Sequence, residues 1–555
     1  MDWEVLEKDI EDKATEDQII NALLKNRDIT SKEQKEEFFN PKKPSEITLK
    51  EAGIKKTEVD KALKRIKKAK DNKETIVVYG DYDSDGVCAT AIMWEVFDAL
   101  QIKTMPYIPD RFEEGYGINK ESIDILRKNY PKLGLIVTVD NGIVADEAIS
   151  YAQKNGVDVI VTDHHQEGKK KPGAHSIIHT DKICGAAVSW ILAREIRKRF
   201  KIQYSIFKNG LGLDLVAIGT IADLIPLLGI NRSLVVYGLK ELRKTKRLGL
   251  KALFKEARIE EKEIESYHIG FVIAPRLNAM GRMEHAIDSL RLLCTKNEKN
   301  AYEYARILGK TNRERQDTVE VVVGHALQLA RKKEWLGAII LAHEEYHEGV
   351  IGLAASKLVE KFYRPAIVIS KGKELSKASA RSISGFNMID AIRKFDDLLE
   401  GGGGHPMAAG FSIETQKLEQ FTDKFETLSQ TLLTKEILTR SLKVDLSLSF
   451  SQMSLKLTND LKKFDPTGLG NPTPVFSTSD VTVLDVRTVG RDASHLKLKL
   501  EKDGIVKDAI GFGMGYLYTK LMTNRIADFA YNLEENVWQG KRSLQLKLKD
   551  IHLRT

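Results

Sequence analysis

Three short, continuously apolar runs, TIVVY (75–79), LGLIVTV (133–139) and VDVIVT (157–162), alternate with helical stretches, and each runs straight into acid or imidazole. Uninterrupted apolar runs of this length suit strands covered on both faces, so the expectation is a parallel α/β sheet. The first run leads into Gly80-Asp81-Tyr82-Asp83-Ser84-Asp85-Gly86, the second into Asp140-Asn141-Gly142, the third into Asp163-His164-His165. A fourth apolar stretch, LDLVAIGTIA, leads into Asp223 and is read as a further strand end. Ligands of open α/β sheets bind outside the carboxyl ends of the strands, so four segments deliver carboxylate or imidazole to one edge.

Carboxylates gathered in one place repel and raise one another's pKa unless a cation compensates. Carboxylate and imidazole together, without thiolate, suit Mn²⁺ or Mg²⁺, and the imidazole favours Mn²⁺. Two such ions lower the pKa of an attacking water and neutralise charge on a phosphoryl group. Asp-x-Asp-x-Asp-Gly also resembles a calcium loop, but the glutamate of an EF-hand is missing, since position 92 is Ile and position 94 is Trp. A lone Asp after a strand is usually a helix cap, and paired histidines alone say little. The combination, in order, is what points to a metal centre.

The rest of the chain divides by pattern. Residues 1–70 read as charged amphipathic helices, in which the lysines of IKKTEVDKALKRIKKAKDNKE are a solvated face rather than a nucleic-acid patch. The α/β region spans 71–235 and a helical connector 236–330. A smaller α/β unit spans 331–435, with LGAIILA, RPAIVIS and the run GGGGH at 401–405. That run lacks the spacing of a dinucleotide or P-loop motif, which excludes a nucleotide cofactor. From 436 to 555 apolar residues alternate at period two with turn signals such as KDG, the pattern of a small barrel such as an OB-fold. This last fifth holds 18 Lys and Arg against 14 Asp and Glu, half of the chain's net charge of +8, as a nucleic-acid platform requires. Cys88, Cys184 and Cys294 lack metal-ligand spacing, so neither a disulfide framework nor a thiolate zinc site is expected. The acidic N-terminus lacks a signal-peptide pattern and no apolar run reaches the roughly 20 residues a membrane span needs, so the expected location is cytoplasmic.

At the acidic and histidine residues the sequence resembles the DHH phosphoesterase superfamily, named for the tripeptide seen here as Asp163-His164-His165, and within it the RecJ family. The matching segments are YGDYDSDG (79–86), VDNG (139–142), TDHH (162–165), GTIAD (219–223), APRLNAMGR (274–282), NRERQ (312–316), HEGVIGLAASKLVE (347–360), ARSISGFN (380–387), GGGGHPMAAGF (401–411) and GLGNPTPVF (468–476). Each alone is weak; ten in the family's order are specific. ICGAAVSW (183–190) and Pro406 are slight variants of the family's pattern.

The resemblance implies a parallel-sheet DHH domain, a long connecting helix, a DHHA1 domain and a C-terminal OB-fold, with DNA threading between the first two domains. It implies Asp81, Asp83, Asp85, Asp140, His164 and Asp223 as ligands of two ions, His165 as the group facing the scissile phosphate, and Asp163 as the residue orienting the histidines. His165 could instead support its neighbouring ligand. Phosphate-gripping positions fall on Arg111, Tyr116, Arg276, Asn278, Arg282, Ser379 and Arg381, with Gly404 and His405 offering close backbone approach and a donor. Arg276 and Arg282 have an interdomain salt bridge as the alternative, and Tyr116 a packed loop aromatic. Tyr116 could stack on a base, and so could Tyr531 or Trp538 in a basic groove of the barrel, although core packing is the expectation for the last two. The activity implied is hydrolysis of single-stranded DNA from the 5′ end to 5′-mononucleotides, in recombination and mismatch repair, with a helicase and a single-strand-binding protein supplying substrate. Two other readings stand beside it: a DHH enzyme hydrolysing oligoribonucleotides or small phosphoesters, which would lack the barrel, and a non-catalytic DNA-binding scaffold, which would have lost acidic residues that are present here.

Overall fold

The computed structural model describes residues 1–7, 14–203, 211–538 and 540–554. The chain forms two compact units: one assembled from residues 1–43, 226–233 and 440–555, the other from 44–225 and 234–439.

The second unit is built on two sheets. In the first, five parallel strands lie in the order Thr104–Tyr107, Thr75–Tyr79, Leu133–Val139, Asp158–Asp163, Ser176–His179. All five residues of TIVVY are buried, as expected of a strand covered on both faces. The chain runs outward from Thr75–Tyr79 to Thr104–Tyr107, then returns to Leu133–Val139 on its other side. The order therefore reverses between the strands that lead to Asp81 and Asp140, the kind of crevice where α/β sheets bind ligands. The helix Lys56–Asp71 buries Val59, Leu63 and Ile66. Its Arg65 is buried between Glu74 (2.7 Å) and Asp158, while neighbouring lysines stay in solvent.

The second sheet, in the order Leu399–His405, Ala408–Glu414, Leu375–Arg381, Ala366–Ser370, Ile339–His343, is mixed: the last pair is parallel and the others antiparallel. A helix of 33 residues, Glu298–Ala330, precedes it.

In the first unit, Phe476–Val489, His495–Lys502, Ile505–Gly511, Lys541–Leu553 and Ile526–Trp538 pair in turn, and the last pairs back onto the first. The result is a closed five-stranded barrel, which removes exposed edges. Tyr531 is buried, its hydroxyl 2.6 Å from that of Thr478; the Trp538 side chain lies outside the described residues.

The N-terminus departs from the helical reading. Asp2–Glu7 is a strand, parallel to Ser441–Ser447, which in turn pairs with Phe476–Val489. Its alternating DWEVLE pattern puts Trp3 against His552, ring centroids 4.1 Å apart, with the indole donating to Asp550 (2.9 Å). An edge to pair with outweighed charge patterning over so short a segment. The helices that follow bury Ile19, Leu23, Leu24 and Phe38 in the barrel's core, beside Phe464, Phe476 and Phe529.

Candidate metal centre and phosphate cradle

The acidic residues are placed by backbone geometry. Asp83 caps the helix Ser84–Ala99, accepting from the amides of Asp85 and Gly86 at 2.9 Å. Asp85 accepts from the first two amides of the helix Gly185–Arg199, Gly185 at 2.6 Å and Ala186 at 3.0 Å, where unpaired amides and the helix dipole favour an anion. Asp140 holds a left-handed conformation (φ 62°) one residue past its strand. Asp223 does not follow a strand: LDLVAIGTIA is the helix Leu213–Ala222 and Asp223 its C-cap. A short run apolar on every side fits a buried helix as well as a buried strand, and periodicity cannot separate the two.

These residues converge. Ligand atoms of Asp81, Asp83 and Asp140, of Asp85, His164 and Asp223, and of Asp140, His164 and His165 form three groups, each with its atoms within 4.8 Å of one another. His164 Nε2 lies 3.1 Å from Asp140, 3.6 Å from Asp223 and 3.8 Å from Asp85. Burial, with repulsion from neighbouring carboxylates, holds Asp81, Asp85 and Asp140 above the usual carboxylate range and pushes Asp223 up to about 8. Asp140 Oδ1 is buried and accepts no hydrogen bond. A buried carboxylate oxygen beside the His164 ring but without a hydrogen bond, among several raised carboxylates, fits divalent cations; no thiolate joins the set, as suits Mn²⁺ or Mg²⁺. Glycine is needed at two positions: a Cβ at Gly185 would overlap the Asp140 carboxylate, and one at Gly219 the Asp85 carboxylate.

Asp163 faces the other way. Its Oδ1 accepts from the amides of His164 (2.7 Å) and His165 (3.2 Å) and lies 2.8 Å from His165 Nδ1; its Oδ2 accepts from the Ile143 amide (2.8 Å). Against the cost of burial, that carboxylate lifts the His165 pKa to about 9. The Tyr116 hydroxyl lies 3.3 Å from His165 Nε2.

Around Asp83 stands a group of arginines. Burial, then the charges of Arg111, Arg381 and Arg315, bring Arg282 down to about 10, and burial with Arg111 lowers Arg381. Arg381 Nη1 donates to Ser379 Oγ (3.2 Å), and Arg111 lies over the Tyr82 ring, 5.2 Å from its centroid. Like charges crowded together need an anion, and arginine grips phosphate in bidentate fashion.

Four expected positions differ. Arg276 is engaged by Glu256 (2.9 Å), the salt-bridge alternative, although the partner lies in the same compact unit. Asn278 Oδ1 accepts from the Ser84 amide (2.6 Å) and hydroxyl (2.8 Å), so it braces the acidic loop. Gly404 and His405 are exposed on the edge strand of the second sheet, and among the described residues neither contacts the acidic cluster. Sequence reasoning passed over Arg315 and also His347, whose ring accepts from the Gly349 amide (3.0 Å) and packs edge-on to Phe112. Both stand inside quoted motifs, NRERQ and HEGV, and that was their only signal.

Known proteins share this arrangement. Residues 75–220 match the DHH family, N-terminal domain, residues 334–431 the DHHA1 domain, and residues 444–550 the RecJ OB domain. The single-stranded-DNA-specific exonuclease RecJ of Salmonella typhimurium is 34% identical over 523 residues, covering 89% of this chain and 90% of that protein. Its Bacillus subtilis counterpart is 34% identical over 501 residues, covering 88% of this chain; the match spans only 62% of that longer protein. The crystal structure of Thermus thermophilus RecJ in complex with Mn²⁺ superposes with a TM-score of 0.84 at 27% identity, covering 100% of this chain and 80% of that one, and its Mg²⁺ complex with 0.75. With all three domain types in order and a third of the residues shared along nine-tenths of a curated relative, this chain belongs to the RecJ family.

Proposed function

We propose that this protein is a metal-dependent exonuclease that hydrolyses single-stranded DNA from the 5′ end and releases 5′-mononucleotides. The observation that carries the reading is the pairing of three acid and imidazole groups with a cluster of arginines that make no ion pair among the described residues. The series of domains agrees with it: a DHH domain over 71–235, a helical connector over 236–330, a DHHA1 domain over 331–435 and an OB-fold over 436–555 whose basic surplus suits nucleic acid.

Asp81, Asp83 and Asp140 would hold one divalent ion, and Asp85, His164 and Asp223 the other. Bound Mn²⁺ or Mg²⁺ supplies Lewis acidity, acidifying the attacking water and offsetting charge on the phosphoryl oxygens. Arg111, Arg282 and Arg381, with Ser379, fix the phosphate and shield its growing negative charge. His165, oriented through Nδ1 by Asp163, turns Nε2 towards a non-bridging oxygen, and Tyr116 steadies that ring. Asn278 holds Ser84 and with it the loop bearing Asp83 and Asp85.

The place of action is the cytoplasm, in recombination and mismatch repair, where a helicase and a single-strand-binding protein supply the strand. No helix among the described residues is long and apolar enough to cross a membrane.

The test is release of mononucleotide from single-stranded DNA labelled at either end, with Mn²⁺, Mg²⁺ or EDTA, and Asp140→Ala as control. Immediate release of the 5′ label, dependent on metal and lost in the variant, is expected. Binding without release would point to a scaffold, and cleavage of short RNA alone to a smaller DHH-type activity.

A further inference from the structure

Next to the metal centre, the second unit exposes an aromatic pair that its own packing does not use. Tyr267 and Phe271 stack with centroids 5.1 Å apart and planes 24° from parallel, yet they are 59% and 72% exposed. Ile269 and Ile273, on the same short segment, are fully buried, so the core anchors this stretch without either ring. The segment is a π-helix, Ile269–Ile273, a rare form that gathers at functional sites.

Its surroundings tie it to the reaction. The helix Ala274–Met283 continues directly from it and carries Asn278, which braces the acidic loop, and Arg282 of the phosphate cradle. On the other side Gly270 lies against Ile221, where a Cβ would sit 3.8 Å from Cγ2, and Ile221 is two residues before Asp223. Leu224, next in the chain, is itself 69% exposed.

We propose that Tyr267 and Phe271 form a stacking platform for a nucleobase of the single strand whose phosphodiester lies at the metal centre. The proposal rests on the exonuclease reading above and adds to it where a base is held. At about 1.5 Å of rise per residue, Phe271 stands roughly 10 Å before Asn278 and 16 Å before Arg282 along the chain's helical path. The platform therefore serves a base close to the scissile bond. Every base offers a π-face, so such a grip tolerates any sequence, as degradation of arbitrary DNA requires. A protein partner is the weaker occupant, because specific interfaces bury about 800 Å² on each side and two rings supply only a fraction of that.

The test is a cycle between ring and base. Wild type, Phe271→Ala, Tyr267→Ala and Phe271→Trp are each assayed on a 20-nucleotide oligothymidylate and on a set with one abasic site stepped from the 5′ end. Expected is a KM about fivefold or more higher for wild type when the abasic site reaches one position, the scale of a lost base stack. Phe271→Ala should show that loss on the intact strand and no further loss at that position, and Phe271→Trp should restore the wild-type pattern. Equal KM for all four proteins, or a loss in Phe271→Ala that ignores where the base is missing, overturns the platform. The same cycle read as Kd by fluorescence anisotropy in EDTA keeps the two readings apart. Base-dependent binding without nucleotide release would retain the platform and sink the exonuclease; release without ring–base coupling would do the reverse.

Discussion

At the scale of the residue, the metal centre stores repulsion. Asp81, Asp85 and Asp140 are buried and, with the half-buried Asp223, have raised pKa values, so at these four groups the metal-free folded state binds more protons than the unfolded chain. Their contribution to the stability of the apoprotein is fully present below the ordinary carboxylate range and falls as pH rises, with the Asp223 part lost up to about pH 8. Thermal melts in EDTA from pH 5 to 8 should show that decline, and saturating Mn²⁺ should raise Tm more at pH 8 than at pH 5. At a hundred times Kd, one bound ion is worth about 2.7 kcal/mol. Asp140→Asn removes the orphaned anionic oxygen, so the apoprotein should melt at or above the wild-type temperature while losing the Mn²⁺ response and the nuclease activity. An apo melt well below wild type would show that Asp140 shapes the fold rather than the ions. These side chains were readable in the sequence because acid or imidazole follows four apolar runs in succession, a combination that helix capping alone does not explain. Arg315 was not, since one arginine on a 33-residue charged helix looks like any solvated residue until the chain folds it towards Arg282.

At the scale of the element, the centre depends on how closely helices approach carboxylates. Gly219, in the helix Leu213–Ala222, and Gly185, at the start of Gly185–Arg199, leave room for Asp85 and Asp140. Gly219→Ala should cost about 1–3 kcal/mol in chemical denaturation, the usual cost of overpacking, and activity should fall much further because a ligand is displaced. Wild-type activity with wild-type stability would mean that Asp85 has slack to move. Strands Thr75–Tyr79, Leu133–Val139 and Asp158–Asp163 were legible from burial on both faces, whereas the helix ending in Asp223 was taken for a strand. What distinguishes it is its fit against Asp85 and Ala186, which no local pattern records. For the same reason Asp2–Glu7 hid among charged helices: its partner strand begins at Ser441.

At the scale of the whole molecule, the barrel unit is made from both ends of the chain and a short middle segment. Arg27 ties the N-terminal helices to Asp445 (3.2 Å) and to Asn471 (2.8 Å). Arg232, from the middle segment, donates to the carbonyls of Phe38 (2.7 Å) and Phe464 (2.9 Å). Removing residues 440–555 should therefore do more than delete a DNA-binding module. It strips Ile19, Leu23, Leu24 and Phe38 of their cover, so the truncated protein should bind a hydrophobic dye and lose soluble yield, as measured by dye fluorescence and centrifugation. A truncation that stays soluble and dye-free would show that the N-terminal helices repack alone. The same arrangement sets a waiting time during synthesis. Some 400 residues separate the N-terminal helices from the strands that complete their core. At about 5–20 residues per second, a ribosome takes roughly 20–80 s to cover that distance. For that interval the apolar face of the first helices lacks the barrel strands that cover it, and chaperones that shield emerging segments become part of how this nuclease is made.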